Sequence, residues 1–347
     1  IRRHYSRALL FPIVGLLLIA NTINIAADVA AMGDAMKLVF GGPAHLYAVA
    51  FGVISALLQV FIPYSKYVRV LKWLTLALLA YVGTVFVVHI PWTQMVKEGV
   101  ALPSLPWTPA FITTIVAVFG TTISPYLFFW QASQEVEDLR ADASARPLKH
   151  SPRDARAGYT RIKVDTYIGM GFSNLVAFFI MLTTAVTLHM HGITEIDSSA
   201  QAATALRPIA GDFAFMLFAL GIVGTGLLAI PVLAGSAAYA MSGAFRWKNS
   251  LEHSPKTAPQ FYGIIVVATL VGVGLTFAPI DPIKALYWSA VINGVISIPI
   301  MAVMMLMASR TDVMGRLVIG HRLRVLGWLC TAVMAAAVAA MFVTTLA

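Results

Sequence analysis

Nine apolar runs divide the chain, separated by short polar stretches: residues 8–32, 45–64, 70–90, 110–136, 166–190, 211–242, 260–278, 283–308 and 322–346. As a helix, each can cross about 30 Å of hydrocarbon. The pattern predicts an all-α integral membrane protein of about nine transmembrane helices. Pro63, Pro91, Pro208 and Pro279 fall near run ends, where a missing amide hydrogen costs least.

Composition agrees with the pattern. Of 347 residues, 59% are hydrophobic and 11% charged, against about 25% charged in soluble domains. So few charges cannot cover a water-exposed surface, so the lipid bilayer is an expected partner. The net charge of +9 sits in loops without a groove-reading or base-stacking motif, so nucleic acid is not an expected partner. If the spans alternate from a cytoplasmic N-terminus, twenty of the 24 Lys and Arg residues fall inside, and only Lys37, Lys97, Arg207 and Lys284 fall outside. That bias predicts a multi-pass protein with the N-terminus of this chain in the cytoplasm. The chain begins at Ile1 without an initiator methionine, so natural sequence is expected upstream. Cys330, the only cysteine, lies inside an apolar run and reads as a small packing residue. The longest loop, roughly 137–165, is of mixed charge and reads as a solvated linker.

The fourth run carries the most chemistry: Phe119-Gly120-Thr121-Thr122-Ile123-Ser124-Pro125-Tyr126. Pro125 removes an amide hydrogen and clashes with the preceding turn. In lipid, the carbonyls so freed must find protein, water or an ion. Two readings follow: a discontinuous helix lining a substrate cavity, or a kink patched by hydroxyl side chains.

Other polar residues lie inside spans. Asn21, Asn24 and Asp28 recur at i, i+3 and i+7 on one helix face. An intramembrane aspartate costs about 2.5–3.5 kcal/mol on insertion scales, so it should face water or a bundle interior. It reads as a proton or ion pathway, or as an interfacial residue. Gly221, Gly224 and Gly226, then Ala234, Ala238 and Ser242, form a small-residue stripe suited to close helix packing or, with Pro231, to a hinge. Ser289, Asn293 and Ser297 form a polar stripe that either joins helices or points at a substrate. His189 and His191 do not share a helix face and read as interfacial. No HExxH, GxSxG or phosphate-loop motif occurs, which argues against an enzyme.

Around Gly120–Tyr126 the chain resembles the Nramp family (natural resistance-associated macrophage proteins), which move divalent metals, usually with protons. The resemblance runs over all nine runs, which look like the family's third to eleventh helices. It implies a partial LeuT-like inverted-repeat bundle of five plus five helices and one more. Residues 1–109 would be the tail of the first repeat, 110–308 the second repeat, and 309–347 the extra helix. The family's Ala-x-x-Met-Pro-His break is matched by Thr121-Thr122-Ile123-Ser124-Pro125-Tyr126. Thr121 stands for the alanine whose carbonyl binds metal, Ser124 for the methionine and Tyr126 for the histidine. Asp28 matches the aspartate of the family's Asp-x-x-Glu pair, with Ala31 at the glutamate position. The family's Asp-Pro-Gly-Asn-type break, in its first helix, has no counterpart here and is expected upstream.

The resemblance implies a secondary transporter whose substrate is a divalent metal ion, with no cofactor. Losing sulfur moves the expectation towards Mg²⁺ or Mn²⁺, with Fe²⁺ next, and towards a related branch marked also by Phe128-Phe129-Trp130-Gln131. Thr121 and Ser124 are the expected metal ligands. Tyr126 and Asn293 complete the substrate site, and Asp28 and Asn24 lie on the ion or proton route. Protons as co-substrate stay open, because the glutamate and histidine are absent. The expected location is the bacterial cytoplasmic membrane. The alternatives are a symporter of a small organic substrate, a membrane enzyme using His189 and His191, and a transport-dead fragment or accessory subunit.

Overall fold

The computed structural model describes residues 5–62, 69, 73–88, 90, 92–93, 107–141, 152–193, 195–196, 198–251, 254–279 and 281–346. Pro63, Pro91, Lys66, Lys72 and Lys97 lie outside them. No strand occurs among the described residues. The main helices are α1 (Arg7–Phe40), α2 (Ala44–Phe61), α3 (Leu79–Val87), α4 (Pro109–Thr122) and α5 (Pro125–Ala141). They are followed by α6 (Pro152–Thr187), α7 (Ala214–Phe245), α8 (Pro259–Leu275), α9 (Pro282–Ala308) and α10 (His321–Leu346).

Proline starts five of these helices: α4, α5, α6, α8 and α9. A first-turn amide has no partner inside its helix, and the ring presets a helical φ. Two of these starts are also capped. Thr108 Oγ1 accepts from Phe111 N at 3.3 Å, and Asp281 Oδ1 accepts from Ile283 N and Lys284 N at 2.8 and 3.2 Å. Helix α1 ends at Gly41, whose φ of 70° lies in the left-handed region.

Each of the nine predicted runs corresponds to helix, with two corrections. Among the described residues, seven stretches are long and apolar enough to cross a membrane, and two, Leu76–Val87 and Pro259–Leu275, are shorter. The run at 70–90 is not one regular helix: a 3₁₀ turn at Leu74–Leu78 leads into α3, which stops at Val87, ahead of Pro91. The residue before a proline is driven out of the α region, so the helix must end upstream. The predicted linker at 137–165 is largely helical, since α5 runs to Ala141 and α6 starts at Pro152. Charged residues extend these helices beyond the apolar run, and Arg161 of α6 pairs with Glu135 and Asp138 of α5.

The centre of the bundle is α1, which packs against α2, α7, α8 and α9. Ile25, Val29 and Met32 of α1 meet Ile230, Leu233 and Ala234 of α7 and Phe261 and Ile265 of α8 in one buried cluster. A lower cluster joins Leu10, Ile13, Val14 and Leu17 of α1 to Ala240, Ala244, Ile296 and Ile300. The small-residue stripe on α7 lets this happen. A carbon added at Gly226 would lie 2.3 Å from the Met32 sulfur, and one at Gly235 2.5 Å from the Trp130 ring. Large apolar side chains such as Ile168, Phe172, Leu270, Leu329 and Val343 are exposed on the outer faces, an arrangement that lipid stabilises and water would not. Cys330 belongs to this outer surface. It is exposed on α10 rather than packed inside, because the α10 face that meets the bundle is set by Thr331, Met334, Val338 and Met341.

Candidate functional site

The fourth run is two helices. Helix α4 closes with Ile123 N–H on Phe119 O at 2.8 Å, and α5 opens with Leu127 N–H on Ser124 O at 3.1 Å. Between them Ile123 leaves the helical region (φ −114°, ψ 63°). Pro125 has no amide hydrogen to carry the ladder across. Hydroxyls fill part of the gap. Thr121 Oγ1 donates to Ala117 O at 3.0 Å, and Thr122 Oγ1 to Val118 O and Phe119 O at 3.0 and 3.1 Å. Ser124 Oγ donates to Gly120 O at 3.1 Å and to Thr121 O at 3.0 Å. The two readings of this motif therefore hold together: the helix is broken, and side chains satisfy some of the carbonyls that the break frees.

Helix α4 is held against α9 by contact of main chain with main chain. A carbon added at Gly120 would fall 1.9 Å from Ala290 O and 2.5 Å from Gly294 N. Gly294 was not singled out in the sequence, yet a carbon there would lie 2.7 Å from Val116 O. The lone signal for it was a glycine next to Asn293 inside an apolar run.

Two of the predicted residues flank Pro125, and a third is within their electrostatic reach. The Tyr126 phenol lies near the Ser124 side chain and feels the charge of the Asp28 carboxylate. Asp28 is half-buried and, among the described residues, has no hydrogen-bond or ion-pair partner. It stands twelve residues before the end of α1, about 18 Å along the axis at 1.5 Å per residue. Asp34 and Lys37 follow it on the same helix. Ser124 is buried, while the Thr121 side chain is exposed and turned back onto its own helix. What Thr121 adds at the break is its carbonyl.

Asn24 and Asn293 face each other. Asn24 Nδ2 donates to Asn293 Oδ1 at 2.9 Å, and Asn293 Nδ2 donates to Asn24 Oδ1 at 3.0 Å. The reciprocal pair ties α1 to α9, so Asn293 is turned to α1 and not to α4. Ser289 and Ser297 donate to carbonyls of their own helix. Asn21, fully buried, donates to Leu233 O at 2.8 Å and Ser236 Oγ at 2.7 Å on α7, and among the described residues its Oδ1 has no partner. The predicted polar face of α1 thus runs between α7 and α9 and ends at Asp28.

The sequence matches the Natural resistance-associated macrophage protein-like family over residues 1–344. The chain belongs to the Nramp family. Its relatives include the divalent metal cation transporter MntH of Klebsiella pneumoniae (strain 342), 26% identical over 96% of this chain and 76% of that protein. MntH of Erwinia tasmaniensis is 27% identical over 60% of this chain and 49% of its own length. For MntH of Clostridium acetobutylicum the figures are 24%, 72% and 53%. The match therefore spans about half of two of these relatives. The all-α membrane fold drawn from the sequence agrees with this membership.

Within this Nramp chain, His189 and His191 form an exposed 3₁₀ turn away from the break. Among the described residues no group of three or more His, Cys, Asp or Glu could hold a metal ion. The oxygens at the break are main-chain carbonyls, the Thr121, Thr122 and Ser124 hydroxyls and the Tyr126 phenol, with the Asp28 carboxylate in electrostatic reach.

Proposed function

We propose that this chain works as a transporter of divalent metal cations and not as an enzyme, by alternating access around the break ahead of Pro125. The observation that carries the reading is the interruption of the main-chain ladder after Ile123, with Ser124 and Tyr126 beside it and Asp28 within electrostatic reach of Tyr126. Thr121 offers a carbonyl with a second lone pair. Ser124 donates its proton to that same residue and keeps its lone pairs for an ion or its water. Asp28 supplies negative charge along the water-filled route and is where protons would be carried if they are coupled. Asn24 and Asn293 hold the wall of that route. The MntH relatives carry divalent metal cation transport in their names.

An all-oxygen set favours Mg²⁺ or Mn²⁺ over softer ions, and Mg²⁺ keeps several waters when bound. In this reading residues 1–109 complete a first helical repeat, 110–308 form the second, and 309–347 add one helix. The basic end of the bundle lies in the cytoplasm, and the membrane is the bacterial cytoplasmic membrane.

The test is flux of Mg²⁺, Mn²⁺ and Cd²⁺ into proteoliposomes holding the natural full-length protein. Wild type should move Mg²⁺ or Mn²⁺. Ser124→Met should raise the ratio of Cd²⁺ to Mg²⁺ flux about tenfold, a selectivity change of about 1.4 kcal/mol. An unchanged ratio would remove Ser124 from the ligand set. Uptake of a labelled amino acid without metal uptake would replace the reading with an organic-substrate symporter.

A further inference from the structure

The far end of α5 carries a buried carboxylate that the metal site does not use. Glu137 is only 7% exposed. Its Oε1 accepts from the Tyr239 hydroxyl of α7 at 2.9 Å, and its Oε2 from Ser250 Oγ at 2.7 Å. The Tyr239 oxygen in turn accepts from Leu251 N at 3.2 Å, and Tyr262 of α8 donates to Leu251 O at 3.3 Å. One turn on, Arg140 Nη1 donates to Asn249 O at 3.1 Å. One carboxylate therefore joins α5 to α7 and to the connection between α7 and α8. Hydrogen bonds to a charged acceptor are the strong ones, and a buried carboxylate that loses them is costly.

Two further features make this clasp more than a packing detail. At its other end, the main-chain ladder of α4 closes at Ile123 and that of α5 starts afresh at Leu127. Along its side lies an open cavity of about 310 Å³ that runs from Phe128, Ser133, Ile300 and Met304 to Glu137 and Tyr239 of the clasp itself. Helix α5 thus has a break at one end, free space beside it and a polar clasp at the other end.

We propose that Glu137 is a positioning residue for transport: its clasp onto Tyr239 and Ser250 holds α5 in one of the positions that alternating access exchanges. The proposal rests on the transport reading above. Glu137 lies thirteen residues from Ser124 along the chain, about 20 Å if helical throughout, so it acts on the movement of α5 and not on the ion.

The experiment uses the natural full-length protein, stripped of native cysteines including Cys330, with Ser133→Cys as a reporter in the cavity. Maleimide modification of position 133 is timed in membranes, and Mg²⁺ or Mn²⁺ flux is measured in proteoliposomes. Glu137→Gln should speed modification about tenfold, which corresponds to about 1.4 kcal/mol in the opening equilibrium. It should also change Vmax with KM for the metal unchanged. Ser250→Ala, which removes one hydroxyl outside any helix, should give a smaller rise of about threefold. Adding Tyr239→Phe to Glu137→Gln should add little to either effect. Modification rates at wild-type level in both Glu137→Gln and Ser250→Ala would overturn the clasp. So would a change in KM alone. If wild type moves no metal, the transport reading falls, while the modification rates still decide the clasp.

Discussion

Replacing Gly120 with alanine tests the contact on which the break is built. The new carbon would lie 1.9 Å from Ala290 O and 2.5 Å from Gly294 N, whereas ordinary contact begins at 3.4 Å. Helix α4 would have to retreat by about 1.5 Å from Ala290, the difference between the two distances. No rotamer change can relieve it, because both opposing atoms are main chain. Between helices in lipid, van der Waals contact carries much of the attraction. A gap of 0.5–1 Å already forfeits about a quarter to a half of each contact well. Overpacking of this kind costs about 1–3 kcal/mol, and Gly120→Ala belongs at the upper end. Alanine gains about 1 kcal/mol of helix propensity over glycine, so a matched control is needed. Gly171 of α6 has nothing within 4 Å of an added carbon, so Gly171→Ala should be neutral or stabilising. Thermal denaturation in detergent measures both variants, and proteoliposome flux measures the consequence. Gly120→Ala should melt below wild type and lose flux, since Gly120 O also receives the Ser124 hydroxyl. A Gly120→Ala midpoint at or above wild type would refute the close approach of α4 and α9.

Two other substitutions separate stability from transport. Asn24→Leu strands both the oxygen and the nitrogen of the Asn293 side-chain amide and should cost about 1–3 kcal/mol, whereas Asn24→Leu with Asn293→Leu should recover most of it; a thermal double-mutant cycle with no coupling would dissolve the pair. Asp28→Asn removes an unpartnered intramembrane charge, so it should raise the melting midpoint and lower metal flux together. A variant with full flux would take Asp28 off the route.

The parts of this structure legible in the sequence are those that lipid or the local backbone dictates. An apolar run must be long to cross a bilayer, so the runs could be found without knowing any neighbour. The break could be found because proline acts on its own backbone and on the turn before it. The 70–90 run marks the limit of this reasoning, since hydrophobicity says nothing about whether the turn at Leu74–Leu78 closes as 3₁₀ or α. The side-chain partners were not legible. Asn293 lies 269 positions from Asn24, and nothing in the Ser289–Ser297 stripe says whether it turns to α1 or α4.

Glu137 is the clearest case. Beside Asp138 and Arg140 it reads as one more charge in a solvated stretch, and the structure buries it. What decides the difference is Tyr239, 102 positions away, and Ser250, 113 away, each bringing a hydroxyl to one carboxylate oxygen. A charge can stay buried only if other parts of the chain satisfy it, so its burial is a property of the whole fold. The same holds at the break. Pro125 frees carbonyls by itself and Tyr126 follows it directly, but whether they serve an ion depends on the Asp28 carboxylate that α1 brings within electrostatic reach.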